Sequence, residues 1–337
     1  MGNKPKFVVI IVLIFLAAVF AFSILKHKSV TKPSQYEKLT FGVVKAPVAA
    51  PICVGYQKGF FQKEGLNLTI QNIPSGPVGL DSLMAGGIQL LSVAETVVMY
   101  AGLEGKGIYI IATIADSDEL NKIVALKGRG ILGFEGLRGK RIGYTPGTTG
   151  DFFLGSSLTF HAIKKTEILP VPLTPDEMLP AMMKRDVDAV VTWYPVVSLL
   201  EKKLGTDAVV FGDDLYRMTL NVICRQDYVR DNPETIRKVL RGLIQAKQYI
   251  GSHTDEAIAI TAEYIGEQPE RLKKIWPAYF FDVKISETLL VNLEDQARWA
   301  IKNNPSGHFK MLDYSKLIYT KGLESIDPMT VTLRHAD

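Results

Sequence analysis

From residue 39 onward, short apolar runs alternate with amphipathic ones, and this rhythm restricts the fold more than any other feature of the chain. Residues 39–44 read as a strand, 50–61 as a helix closed by Lys63-Glu64-Gly65, and 66–70 as a second strand. A helix over 78–85 ends at Gly86-Gly87; strand 88–94, helix 96–103 and strand 108–113 follow. Strands separated by helices pair in parallel, because the return to the same edge of a sheet needs a crossover of about a dozen residues. The pattern predicts an α/β chain.

The rhythm restarts near Ile123. Strand 141–144, helix 151–164, strand 169–173, helix 175–184 and strand 189–193 form a second group, and 220–225 reads as a strand returning to the first. Beyond it the chain turns helical: Asn232-Pro233-Glu234 is a cap followed by proline at the first helical position, and Thr254-Asp255-Glu256 and Ser286-Glu287 start two more helices. A length of 337 residues accommodates two lobes. The stretches LMAGGIQLLSVAET (83–96) and MMKRDVDAVVTWYP (182–195) share a helix end, a turn, an apolar strand and a polar or aromatic tip. Ligands of open α/β sheets sit beyond the carboxyl ends of strands. Glu95-Thr96 and Trp193-Tyr194 are therefore expected to face a crevice between the lobes.

The formal charge of +4 misleads about partners. Residues 1–38 hold six lysines against Glu37 alone, and removing that +5 leaves about −1 for the rest, which gives no support for a nucleic-acid partner. Residues 7–25 form an uncharged apolar run with Ser23 its only polar member, behind Lys4 and Lys6. That is either a secretory leader or an uncleaved anchor, and both place the body outside the cytoplasm. Cys53 and Cys224 are either a disulfide or two buried thiols.

Several motifs fail on context. GRGILG (128–133) has the dinucleotide spacing, but only residues 134–138 separate it from Gly139 and the next strand, too few for the helix whose N-terminus would hold a pyrophosphate. GLRGKR (136–141) has Phe134 where a phosphate loop needs glycine and Arg141 where it needs a hydroxyl. The histidines at 27, 161, 253, 308 and 335 are scattered, so no metal site is read, and no cofactor is expected. His161 reads as a packed or solvated helix residue without a nucleophile motif beside it.

GYTPGTTGDFFL (143–154) differs from these. A strand runs through Pro146-Gly147 into Thr148-Thr149 and a helix, which supplies unpaired backbone N–H groups, two hydroxyls and a dipole of roughly +0.5 charge. Such a tip cradles anions; alternatively Thr149 only caps the helix. Asp151 is either a partner of the helix dipole or a ligand contact, in which case it would hold the amine of a zwitterion or an aminopyrimidine. Trp193-Tyr194-Pro195 is either a stacking wall or a core plug. Glu95, a carboxylate at the end of an apolar strand, either caps the helix near Thr96 or faces the crevice, since burial without partners is costly.

The segments GYQKGFFQKEGLNLTIQNIPSG, LKGRG with GLRGKRIGYTPGTTGDFFL, MLPAMMKRDVDAVVTWYP and RQDYVRDNPETIRKVLRG together resemble the substrate-binding proteins of ABC importers for nitrate, sulfonates, taurine and thiamine-pyrimidine precursors. The resemblance covers residues 38–300. It implies a two-lobed periplasmic-binding-protein fold of type II with two hinge crossings, near 122–126 and 220–225. It also implies a leader or anchor with linker over 1–37, a first lobe of 38–122 with 225–337, and a second of 123–224. The family's ligand segments map onto Ala46, Pro47 and Val48, Glu95 and Thr96, Gly147, Thr148 and Thr149, and Trp193 and Tyr194. Gln89 stands where relatives often have aspartate, which Asp188 keeps in the second lobe.

The expectation is a monomeric, non-enzymatic receptor on the periplasmic or extracellular side, tethered by residues 7–25 if these are not cleaved. It would capture a small anionic or zwitterionic solute and present it to a membrane permease. One rival is an enzyme on the same fold, with Asp151 and Glu95 as its only visible titratable pair. Another is a tethered ligand sensor, although no kinase or cyclase signature follows the last helix signal.

Overall fold

A computed structural model describes residues 36–303 and 309–333. The apolar run at 7–25 lies outside the described residues. In the first part of the chain β1 (Glu37–Val44), β2 (Leu66–Ile73), β3 (Leu90–Ala94) and β4 (Ile108–Ser117) alternate with α1 (Ala50–Gln57), α2 (Phe60–Lys63), α3 (Gly76–Met84) and α4 (Glu95–Leu103). Next come β5 (Asn121–Leu126), β6 (Arg141–Tyr144), β7 (Leu169–Pro172), β8 (Ala189–Trp193) and β9 (Ala208–Phe211), with α5 (Thr149–Phe160), α6 (Pro175–Lys184) and α7 (Val196–Leu204). After β10 (Met218–Arg225) follow α8 (Gln226–Asp231), α9 (Pro233–Ser252), α10 (Thr254–Ile265), α11 (Pro269–Ile275), β11 (Tyr279–Lys284), α12 (Glu287–Asn303) and α13 (Lys321–Glu324).

The strands make two sheets, in the orders β11-β4-β10-β3-β1-β2 and β7-β6-β8-β5-β9. Read from β2 and from β7, both follow one plan: second strand, first, third, a strand delivered from the other sheet, then the fourth. The first three strands of each sheet pair in parallel. The delivered strands, β10 and β5, are antiparallel to both neighbours. Parallel strands end at the cleft, so a chain crossing over enters its new sheet at that end and runs the opposite way.

The crossings themselves lie at residues 118–120 and 212–217, between β4 and β5 and between β9 and β10. Residues 122–126 and 220–225, expected at the hinges, are strand residues just beyond them. In the second sheet Ile123 and Ala125 join one buried cluster, while Val124 and Leu126 join another on the opposite face. A strand buried on both sides gains from apolar residues at every position, which is why these strands read as unbroken apolar runs.

Other expectations shift locally. The single helix over 50–61 is a 3₁₀ turn (Pro47–Ala49), α1 and α2, broken at Lys58-Gly59. Asn232 precedes α9, but its Nδ2 donates backward to the Tyr228 carbonyl (3.1 Å), so Pro233 rather than a side-chain cap fixes the helix start. GRGILG (128–133) begins in a 3₁₀ turn at Lys127–Arg129 and ends just before another at Phe134–Leu137, with no helix following it that could hold a pyrophosphate. Cys53 and Cys224 are separate buried thiols, which burial pushes up. Among the described residues no helix is long and apolar enough to cross a membrane, and no His/Cys/Asp/Glu group is placed to hold a metal.

Candidate functional site

β6 ends at Tyr144, and the chain must then reverse into α5. Gly147 has φ +70°, a left-handed conformation that glycine adopts at little cost, and it delivers Thr148 and Thr149 to the helix tip. Neither threonine caps the helix through its side chain. The Thr148 hydroxyl donates to the Thr145 carbonyl (2.7 Å), and the Thr149 hydroxyl to Asn121 Oδ1 at the start of β5 (3.0 Å). Both hydroxyl protons are thus committed to holding the loop. The backbone N–H groups of Thr148, Thr149 and Gly150 have no hydrogen-bond partner among the described residues. These amides, with the positive end of the helix dipole behind them, are the free donors of the site.

Thr148 and Thr149 line a cavity with ≈ 50 Å³ of water-accessible space. Ala46 and Val48 close it from the loop after β1, Ser92, Val93 and Ala94 from β3, and Trp193 from the end of β8. Leu120, Met218 and Leu220, beside the two crossings, complete the wall together with Val44, Gly76 and Val97. No charged side chain lines it. Trp193, on a strand of the second sheet, packs into the buried cluster of the first, so its indole is both a wall of the cavity and a bridge between the halves.

The remaining expected residues lie elsewhere. Pro47 is buried in its 3₁₀ turn. Tyr194 packs among Val124, Val190 and Val197 under the second sheet. Thr96 is buried, with its hydroxyl 3.4 Å from that of Tyr216. Glu95 is fully buried and neither caps α4 nor lines the cavity. Its carboxylate accepts from the Tyr216 hydroxyl, from Thr219 N (2.7 Å) and Oγ1 (3.0 Å), and from Gln296 Nε2 (2.8 Å). Burial pushes this carboxyl upward and the donors only partly restrain it. Asp151 folds back so that its Oδ2 accepts from Gly147 N (3.1 Å), and it lines a different cavity. His161 stacks on Phe134 at 4.1 Å, with Nε2 3.3 Å from Asp213.

Sequence reading missed Leu120, Asn121, Met218 and Leu220, whose common feature is adjacency to a crossing. The motif echo held a further signal. Gln89 Oε1 accepts from Thr40 N in the middle of β1 and Asp188 Oδ2 from Arg141 N at the start of β6, each at 2.9 Å, so both side chains pin the first parallel strand of their own sheet.

The pattern described as NMT1/THI5 like matches residues 46–257. The chain belongs to this family. The taurine-binding periplasmic protein of Escherichia coli is 26% identical to this NMT1/THI5-like chain over 231 residues, covering 67% of the chain and 69% of that protein. A Brucella abortus protein named only as a binding protein is 22% identical over 218 residues, covering 63% of the chain and 66% of its own length, just under two thirds. Among solved structures, the alkanesulfonate-binding protein of Xanthomonas axonopodis pv. citri bound to MOPS aligns with TM-score 0.75 at 19% identity, over 84% of this chain and 98% of that one. The nitrate-binding protein of Synechocystis aligns with TM-score 0.65 at 15% identity, over 88% and 89%. The fold is the two-lobed periplasmic-binding-protein fold.

Proposed function

We propose that this chain is an extracytoplasmic solute-binding protein that captures a short-chain organic anion, an alkanesulfonate in particular, and delivers it to an ABC permease. The observation that carries the reading is the tip of α5: Thr148 and Thr149, whose amides have no partner among the described residues, line an apolar cavity without a charged side chain at the positive end of the helix. Amides bind a singly charged oxyanion, and the valine, leucine and tryptophan walls take a hydrocarbon tail. A zwitterion is served less well, because no carboxylate reaches this cavity to meet its amine. The name of the alkanesulfonate-binding relative supports the same ligand class, and the taurine-binding relative shares the sulfonate group while its ligand also carries an amine.

The proposed contacts are Ala46, Val48, Thr148, Thr149 and Trp193, with the amides of Thr148 and Thr149 holding the anion. Trp193 and the tip of α5 face Ala46 and Val48 across the cavity, so a ligand touching both sides favours the closed arrangement through its differential affinity. The titratable pair an enzyme would need is separated: Glu95 is sealed among four donors, and Asp151 lines another cavity. A monomeric receptor in the periplasm or on the outer face of the membrane fits these features.

Calorimetric titration of the full chain with ethanesulfonate, taurine and nitrate tests the reading. Saturable binding is expected, tightest for ethanesulfonate, and a hundredfold excess over Kd should stabilise the fold by ~2.7 kcal/mol. Conversion of the bound compound, or binding of none of the three, overturns it.

A further inference from the structure

The cavity that Asp151 lines, ≈ 500 Å³, is ten times roomier than the one at the α5 tip and shares no lining residue with it. It runs along the flank of α5, where Leu154 and Leu158 form its floor, and Ile163, Ile168 and Pro170 continue it. Tyr144, at the end of β6, and Trp299, on α12 of the other half, face it with aromatic surface. Trp299 is held firmly in place. Its ring meets Phe152 edge to face at 5.2 Å, and a Cβ at Gly155 would lie 2.6 Å from the indole. Only glycine lets the ring approach the helix so closely.

Asp151 sits at one end of this space. Oδ2 is engaged by the Gly147 amide, and Oδ1 has no hydrogen-bond partner among the described residues. Burial raises its pKa, against the Gly147 amide and the charge of Lys165, which lines the same cavity. The other titratable groups nearby are the phenols of Tyr144 and Tyr100, both raised first by burial and then by Asp151; Tyr100 is pushed up to about 12, so neither adds charge at neutral pH. Lys164 and Lys165 lie at the exposed mouth. A carboxylate with a spare oxygen, flanked by two aromatic side chains over an apolar floor, has the chemistry that attracts an organic ammonium ion.

We propose that this second cavity binds a primary ammonium carrying a hydrocarbon body, with the ammonium on Asp151 between Tyr144 and Trp299. The site goes beyond the anion reading and is independent of it. Because the cavity joins α5 to α12, an occupant touches both halves of the molecule at a point separate from the proposed anion site.

Titration of the full chain with hexylammonium chloride at low salt tests the site, in the presence and absence of saturating ethanesulfonate. Saturable binding is expected in both conditions. Asp151→Asn, which keeps an acceptor for the Gly147 amide, should weaken it at least about tenfold, or 1.4 kcal/mol. Trp299→Leu should weaken it also, with ethanesulfonate binding retained. Unchanged hexylammonium affinity in Asp151→Asn, competition by ethanesulfonate, or equal binding of hexanesulfonate at the same place each overturns the second site. If hexylammonium fails while ethanesulfonate binds, this site falls and the anion reading stands. The converse result removes the anion reading alone.

Discussion

The two halves of the molecule build the same device from different residues. In each, a side chain at the turn before the third strand accepts the first strand's amide, Gln89 from Thr40 and Asp188 from Arg141. Gln89 is neutral and needs nothing more. Asp188 is buried and charged, and it is ringed by Arg141 (3.0 Å) and Arg129 (3.2 Å). The geometric need is for an acceptor; the charge is a second choice that brings its own counter-ions. The helix tips diverge further. The start of α4 in the first half carries the buried Glu95 side-chain network, which does not cap the helix, whereas the start of α5 in the second lines a cavity through Thr148 and Thr149. One half supplies a rigid apolar wall, and the other supplies the proposed donors.

Breaking the sealed tip should have the largest effect. Glu95→Ala leaves the Tyr216 hydroxyl, the Thr219 amide and Gln296 without their acceptor and opens a void, which together should cost about 3–5 kcal/mol. Urea denaturation measures it, and a loss under about 1 kcal/mol would show that the network relaxes onto other partners. Because Tyr216 precedes β10 and packs edge to face on Phe152 of α5 at 4.9 Å, the damage should reach the crossing between the halves.

Breaking the open tip should cost less stability than breaking the sealed one, through the lost hydroxyl bond to Asn121, and should harm binding. Thr149 is the first residue of α5, a position where proline is tolerated, and Thr148 before it is already extended (φ −111°, ψ 174°). Thr149→Pro therefore removes one amide donor and leaves the helix in place. Ethanesulfonate binding should weaken by about 1.5–3 kcal/mol, the range for hydrogen bonds to charged groups. Thr149→Val keeps the amide and loses only the hydroxyl bond to Asn121, so it should bind more tightly than the proline variant. Equal affinities in calorimetry would remove the Thr149 amide from the anion site.

Much of this contrast was legible in the sequence, and the rest was hidden for definable reasons. β6, α6 and β8 fall on their expected residues because buried strands and a capping box at Thr174 and Glu177 are local signals. β9 and β11 went unseen because each lies at the edge of its sheet, where one neighbouring strand, distant in sequence, defines it. The break in the helix over 50–61 was marked by Gly59, whose φ of +70° ends α1. The α5 tip was visible as glycine and hydroxyls in one short stretch. The fate of Glu95 was not, because Tyr216 and Gln296 lie 121 and 201 residues away. Asp151 misled for a different reason: its place in the first turn fixes its backbone, but the side chain turns to a neighbouring cavity that only the folded chain creates.

The smallest expected effect sharpens the comparison through pH. Burial raises the Glu95 carboxyl above the ordinary range. For Asp188 burial acts the same way but is outweighed by the Arg141 guanidinium and amide, with Arg129 adding to the pull, and its pKa ends below that range. Native Glu95 therefore holds its proton more tightly than the unfolded chain does, so its contribution is fullest below the ordinary glutamate value of about 4.3 and declines as pH rises from there. Native Asp188 releases its proton more readily, so its contribution is present above the ordinary aspartate value of about 3.9 and is lost as pH falls below it. Stability measured from acid to neutral pH, wild type minus Glu95→Gln, should slope downward. The same difference for Asp188→Asn should rise through the acid range and then level off, with an amplitude of about 1 kcal/mol for partly exposed arginine partners. Two slopes of the same sign would mean that the two acids are ionised alike, and that the contrast between sealed and ion-paired carboxylates is one of geometry without charge.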